Sequence, residues 1–210
     1  MKLLADRKDV DPKRIAVIGH SEGGLVALMA GAKDKRIAAV GLIATPGVTG
    51  ADLILAQQKH LLDLTKLTPE EKLAKVEQQK KINEAVITGK GLELLPPGVR
   101  RAVDNPEFQG ILMSDPVKLL AQVRQPLLIV QGDLDTQVEP GNADLLEGIA
   151  RKRKNSPAVE VVKVPGVNHL LVPATTGEVS EYGDLKDKQV SDTVTKALVN
   201  WLNKTLSTAR

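Results

Sequence analysis

The stretch Arg14-Ile15-Ala16-Val17-Ile18-Gly19-His20-Ser21-Glu22-Gly23-Gly24 restricts what this chain can fold into more than any other. Residues 1–9 read as the end of a helix, and Val10-Asp11-Pro12-Lys13 as a turn. Arg14 to Gly19 is then a short apolar run bounded by turn signals on both sides, which suits a buried parallel strand. From Glu22 to about Ala32 the spacing is helical. A Gly-x-Ser-x-Gly pattern between a strand and a helix puts its serine on a sharp, strained turn at the strand's C-terminal end. Gly19 and Gly23 are expected to be glycine because strand and helix approach too closely there for side chains. The free N–H groups at the helix start favour a developing oxyanion beside the serine. The plainer reading is a tight turn with a solvated serine. The strand before it and the helix after it favour a nucleophile.

The remaining elements follow in a regular order. Ile37 to Ile43 reads as a second buried strand. From about residue 50 to 122 no strand-like run occurs. Leu53–Leu64 and Pro69–Ile87 have helical spacing, and Thr68-Pro69-Glu70-Glu71 is a helix start with an N-cap, a first-turn proline and acids. Asn105-Pro106 and Asp115-Pro116 give the same kind of signal. Strand character returns at Pro126–Gln131 and at Val159–Val164, with a helix from about Pro140 to Lys152 between them. A last helix is expected over Gln189–Leu206, with Val190, Val194, Leu198 and Leu202 at helical spacing. The alternation predicts an α/β fold: a single domain over 1–210 with a parallel sheet of about four strands, flanked by helices and joined by right-handed crossovers. The helical insertion at about 50–122 is too long for an ordinary connection and reads as a cap or lid.

Composition narrows the chemistry. With one Trp, one Tyr and one Phe, the core must be built from Leu, Ile, Val and Ala. With no cysteine, disulfides and thiolate chemistry are excluded. The histidines are scattered, so no metal site is expected. Gly19-x-x-x-Gly23-Gly24 lacks the dinucleotide fingerprint and the phosphate-loop lysine, so no cofactor is expected either. The net charge of +3 is spread along the chain. Its densest run, Arg151-Lys152-Arg153-Lys154, falls at a helix end, where it complements the helix dipole and free carbonyls. No stacking platform accompanies it, so nucleic acid is not an expected partner. No apolar run is long enough for a signal peptide or a membrane span, and a cytoplasmic location is expected.

A serine hydroxyl needs a base. Three histidines are available, His20, His60 and His169. His20 adjoins Ser21 within the turn and is badly placed to take its proton; packing or shaping the pocket suits it better. His60 lies in the predicted insertion. His169 follows a strand directly, in Val164-Pro165-Gly166-Val167-Asn168-His169, where open α/β sheets carry functional groups. The base in turn needs an orienting acid. Gln131-Gly132-Asp133-Leu134-Asp135-Thr136-Gln137-Val138 also follows a strand and holds two candidates. Asp135 lies further into the loop and can turn back toward His169. Asp133 suits local hydrogen bonds to loop N–H groups.

These features resemble the α/β-hydrolase family, near its esterases and serine-peptidase-like hydrolases. The matching residues are Arg14 to Gly24, then Gln125-Pro126-Leu127-Leu128-Ile129-Val130-Gln131-Gly132 with Asp135, then Pro165-Gly166-Val167-Asn168-His169. The order Ser, Asp, His is that family's chain order. The resemblance implies that Ser21 attacks a carbonyl, His169 relays the proton, Asp135 holds the His169 tautomer, and the Glu22 N–H is one oxyanion donor. The chain departs from the family in reaching the elbow strand by residue 14, without the earlier strands or the loop that supplies a second donor. The elbow strand is therefore expected at an open edge of the sheet. A homodimer through residues 1–20 would cover it. The expected activity is hydrolysis of small-molecule carboxylic esters of small acyl groups. A peptidase or amidase using the same triad, and a truncated non-catalytic binding homologue, are the alternatives.

Overall fold

The structure is a computed structural model that describes residues 2–155 and 157–207. The chain forms two compact units, residues 1–47 with 116–210 and residues 48–115. Met1, part of the expected interface, lies outside the described residues.

The first unit is built on four parallel strands: β1 (Ile15–His20), β2 (Ile37–Ile43), β3 (Leu127–Gly132) and β4 (Val159–Val164), in the order β1-β2-β3-β4. The turn at Lys2–Ala5 is α1, and α2 (Glu22–Lys33) connects β1 to β2. The two-residue period of the strands sorts their side chains into two cores. On one side Val40, Leu42, Leu127 and Ile129 pack with Ala27 and Leu28 of α2. On the other, Ala39, Ile43, Leu128, Val130 and Val164 pack with Val194 and Trp201. Every residue of β3 is buried, as expected for a central parallel strand covered on both faces. Burying one such Leu or Ile is worth about 1.5–3 kcal/mol. β1 lies at the sheet's edge, and its Ile18 is exposed.

The second unit is helical. It holds α3 (Gly50–Asp63), α4 (Pro69–Thr88), α5 (Pro97–Val103) and α6 (Pro106–Leu112). The expected capping box forms at α4: Thr68 Oγ1 accepts from Glu71 N at 3.3 Å, and Glu71 Oε2 accepts from Thr68 N at 2.8 Å. Gly89, left-handed at φ 68°, stops the helix. Asn105 Oδ1 caps α6 through Glu107 N at 2.9 Å. Buried Asn83 joins the two long helices by donating to Ala51 O at 3.3 Å.

Three boundaries differ from the sequence reading. The helical unit closes at residue 115 rather than about 122. The next helix, α7 (Pro116–Leu120), belongs to the sheet unit because Leu120 and Val123 are fully buried beside Leu28 and Leu127. After β3 comes α8 (Gly141–Ala150). In the basic run beyond it, Arg153 meets the helix end as expected, donating to the Ala150 carbonyl at 2.8 Å, and it also donates to Gln125 O at 2.9 Å. The last helix, α9, spans Asp192–Ser207. Val190 is exposed ahead of it, because Ser191 Oγ takes the Thr193 N–H at 3.3 Å and starts the helix there. Among the described residues, no helix is long and apolar enough to cross a membrane.

Candidate active site

Ser21 occupies the junction of β1 and α2 with φ 54° and ψ −123°, a conformation that L-residues rarely adopt. Such a backbone costs on the order of 1–3 kcal/mol and persists only where its surroundings over-determine it. Here Ser21 N donates to Ile43 O at the end of β2, 2.8 Å away, and Ser21 O accepts from Gly24 N at 3.0 Å. Glu22 is the first residue of α2, so its N–H has no intrahelical acceptor.

The glycines around this turn are only partly those expected. A Cβ on Gly19 would lie 1.9 Å from Gly23 O, so the close approach of strand and helix does require glycine there. At Gly23 a Cβ would meet nothing within 4 Å. The second tight position is Gly24, whose Cβ would fall 1.9 Å from Oγ1 of the buried Thr45.

The loop after β3 separates the two candidate acids. Asp135 is 2 % exposed. Its Oδ1 accepts from Gln137 N at 3.0 Å and Val138 N at 2.9 Å. Its Oδ2 accepts from Gln131 Nε2 at 3.0 Å and from His169 Nδ1 at 2.8 Å. A carboxylate cannot donate, so the proton of this last bond sits on Nδ1. The other nitrogen of a neutral His169 is then left as an acceptor, the tautomer a general base needs. His169 itself is 7 % exposed. Asp133 does bond a backbone N–H, but one in the neighbouring loop: its Oδ1 accepts from Gly166 N at 2.6 Å.

The structure thus brings Asp135 and His169 into direct contact and puts Ser21 on a strained turn at the end of β1. His60 lies on α3, in the helical unit. Two residues acquire contacts that sequence reasoning missed. Gln131 braces Asp135, and its signal was visible: a polar residue closing an otherwise apolar strand. His20 Nε2 donates to the backbone oxygen of His169 at 2.7 Å, with the two rings 4.8 Å apart between centroids. A single sequence held no sign of that bond, which joins residues 149 apart.

The turn that follows the His169 loop is held by a carboxylate. Glu181 accepts from Thr176 Oγ1 at 2.7 Å and from the N–H groups of Thr175, Thr176 and Gly177 at 2.7, 2.9 and 2.9 Å. The Thr176 hydroxyl, followed by these backbone donors, lowers Glu181 from 4.5 to about 2. Gly177 O in turn accepts from Thr136 Oγ1 at 3.1 Å, beside Asp135 in the acid loop.

Residues 2–181 match the alpha/beta hydrolase family, and the chain belongs to it. Its fold is similar to a proline iminopeptidase-related protein of Thermus thermophilus, with a TM-score of 0.53 and 16 % identity over 94 % of this chain and 66 % of that one. A puromycin-hydrolyzing peptidase of Mycobacterium tuberculosis gives a TM-score of 0.52 and 17 % identity over 98 % of this chain and 24 % of that one. An esterase of Pyrococcus furiosus gives a TM-score of 0.49 and 17 % identity over 97 % of this chain and 57 % of that one. The chain therefore spans 57 % of that esterase's length and 24 % of the peptidase's. No curated protein sequence matches it significantly.

Two outcomes follow from this geometry. Gly19→Ala and Gly24→Ala each lower stability by about 1–3 kcal/mol or more through overpacking. Gly23→Ala, in open space at a helical position, stays within about 1 kcal/mol of the parent on the stabilising side. Urea unfolding followed by circular dichroism ranks the three. The second outcome concerns pH. Because Glu181 is depressed in the folded state, its contribution is complete above about pH 4.5 and is lost as pH falls through about 2. Glu181→Gln removes that component, so its urea midpoint falls less between pH 4.5 and 2 than the parent's.

Proposed function

We propose that this protein is a serine hydrolase that cleaves carboxylic esters of small acyl groups through an acyl-enzyme intermediate. The observation that carries the reading is the buried Asp135–His169 hydrogen bond, which supports a base with its acceptor nitrogen free, in a unit whose Ser21 sits on a strained elbow.

The Ser21 hydroxyl attacks the ester carbonyl carbon. An Oγ–C bond forms while His169 Nε2 takes the hydroxyl proton. Asp135 holds the ring through Nδ1 and stabilises the imidazolium. The carbonyl oxygen, now an oxyanion, is met by the Glu22 N–H; one such donor is worth about 2.7–4 kcal/mol of barrier. Collapse of the intermediate breaks the bond to the alkoxide, which receives the proton from His169, and leaves the acyl group on Ser21. Water then attacks with His169 again as base, releasing the acid and restoring the hydroxyl.

Ser21→Ala lowers release of p-nitrophenol from a short-chain ester by at least about a thousandfold, the scale on which nucleophile removal acts. Retained activity in that variant contradicts the assignment. Aminoacyl amides in the same assay separate an esterase from an amidase.

We also infer that a second copy covers the β1 edge through residues 1–20. The Ser21 N–H points toward β2, so by the strand period the N–H groups of Ala16, Ile18 and His20 point to the open edge. No charged side chain lies within the strand to discourage pairing. Antiparallel pairing of two β1 strands about a two-fold axis would also set Lys13 and Arg14 of one copy near Glu22 of the other. Light scattering at micromolar concentration is expected to give twice the chain mass, and a clean monomer contradicts the inference.

A further inference from the structure

We propose that His20 is a positioning residue that anchors the tip of the base loop over the elbow strand, through the bond from its Nε2–H to the backbone carbonyl of His169. This rests on the reading of Ser21, Asp135 and His169 as a triad.

The need for such an anchor comes from the sheet order. Ser21 follows β1 and His169 follows β4, the two opposite margins of the sheet. Neighbouring strands lie about 4.8 Å apart, so three spacings put roughly 14 Å between the ends of those strands. A general base has to reach within about 2.6–3.2 Å of the proton it removes. The loop after β4 must therefore lean back across β3 and β2.

Its root is fastened from the β3 side. Asp133 Oδ1 accepts from Gly166 N at 2.6 Å, Leu134 N donates to Val167 O at 3.0 Å, and Asp135 holds the His169 ring. The loop is also tied to itself, Asn168 N donating to Val172 O at 3.1 Å and Leu171 N to Asn168 O at 2.9 Å. Neither set of bonds fixes the loop to β1. The His20 bond does, and it comes from the residue covalently next to Ser21. It ties the base's backbone to the nucleophile's own turn.

The chemistry of the bond assigns the role. Its acceptor is a carbonyl oxygen, so Nε2 of His20 must carry the proton. That nitrogen is a committed donor and is not a second base for Ser21. Because the bond goes to the His169 backbone, it does not depend on whether the His169 ring holds a proton, and it persists through both halves of the reaction. A ring that merely packed would need no N–H at this position.

Three variants separate anchoring from packing. His20→Phe keeps a ring without the donor, His20→Ala removes both, and His20→Gln restores an amide N–H at similar reach. Phe and Ala are expected to lower kcat about tenfold to a hundredfold, as misplacement of a catalytic group by about 1 Å does, with KM changed less than about threefold. Gln is expected to stay within about fivefold of the parent. Hydrogen exchange over residues 166–172 gives a readout independent of turnover: protection falls about tenfold in Phe and Ala and is kept in Gln. Parent-like kcat and protection in His20→Phe would overturn the proposal. So would a Gln variant as impaired as Phe, or a loss of kcat with protection unchanged. If parent Ser21 fails to react with a fluorophosphonate, the hydrolase reading fails by itself, and the exchange arm still decides the anchor.

Discussion

The contact between the Gly19 α-carbon and the backbone of Gly23 is the constraint on which the rest of the site depends. It lets the chain leave β1 and enter α2 within one residue, with Ser21 at φ 54° between them. Strain of this kind needs compensation, and the neighbouring bonds provide it. Ser21 N is tied to β2, α2 starts at once, and Gly24 packs against the buried Thr45. Ala44, the residue after β2, also has a positive φ, 46°, and its N–H is tied to Val130 O at 2.9 Å. Ser21 and Ala44, two of the positive-φ residues, thus sit at the C-terminal ends of adjacent strands.

The same margin collects the polar machinery. Each strand end hands its loop to the next: β2 receives the Ser21 N–H, the β3 loop grips the β4 loop through Asp133 and Leu134, and the β4 loop reaches back to β1 through His20. Asp135 sits within this ring of bonds and accepts from Gln131, Gln137, Val138 and His169. These bonds fix the orientation of its carboxylate, and preorganisation of that kind is what the proposed triad requires.

Most of this was legible in the sequence because it rests on local rules. The four strands, the capping box at Thr68 and the αβ alternation follow from periodicity and turn chemistry. The placement of Ser21 directly after β1 and of His169 in the loop after β4 follows from the same reading. The parts that were not legible are those decided by partners distant in sequence. Gly23 looks as constrained as Gly19, yet Gly24 meets Thr45 and Gly23 meets nothing. Asp133 suits a local bond and instead holds Gly166. The helical unit stops at 115 rather than 122 because Leu120 and Val123 find their core on the sheet, which no helical spacing could announce. His20 reads as a packing residue, since only the folded loop brings a carbonyl to its Nε2.

The central claim is that Ser21 is a nucleophile activated by His169 and Asp135. Peptide mapping after treatment with a fluorophosphonate tests it most directly. The expected result is one adduct, on the peptide containing Ser21, forming at a rate that collapses in His169→Ala and falls in Asp135→Asn. An adduct on another residue, or labelling of Ser21 that is indifferent to His169, would contradict it.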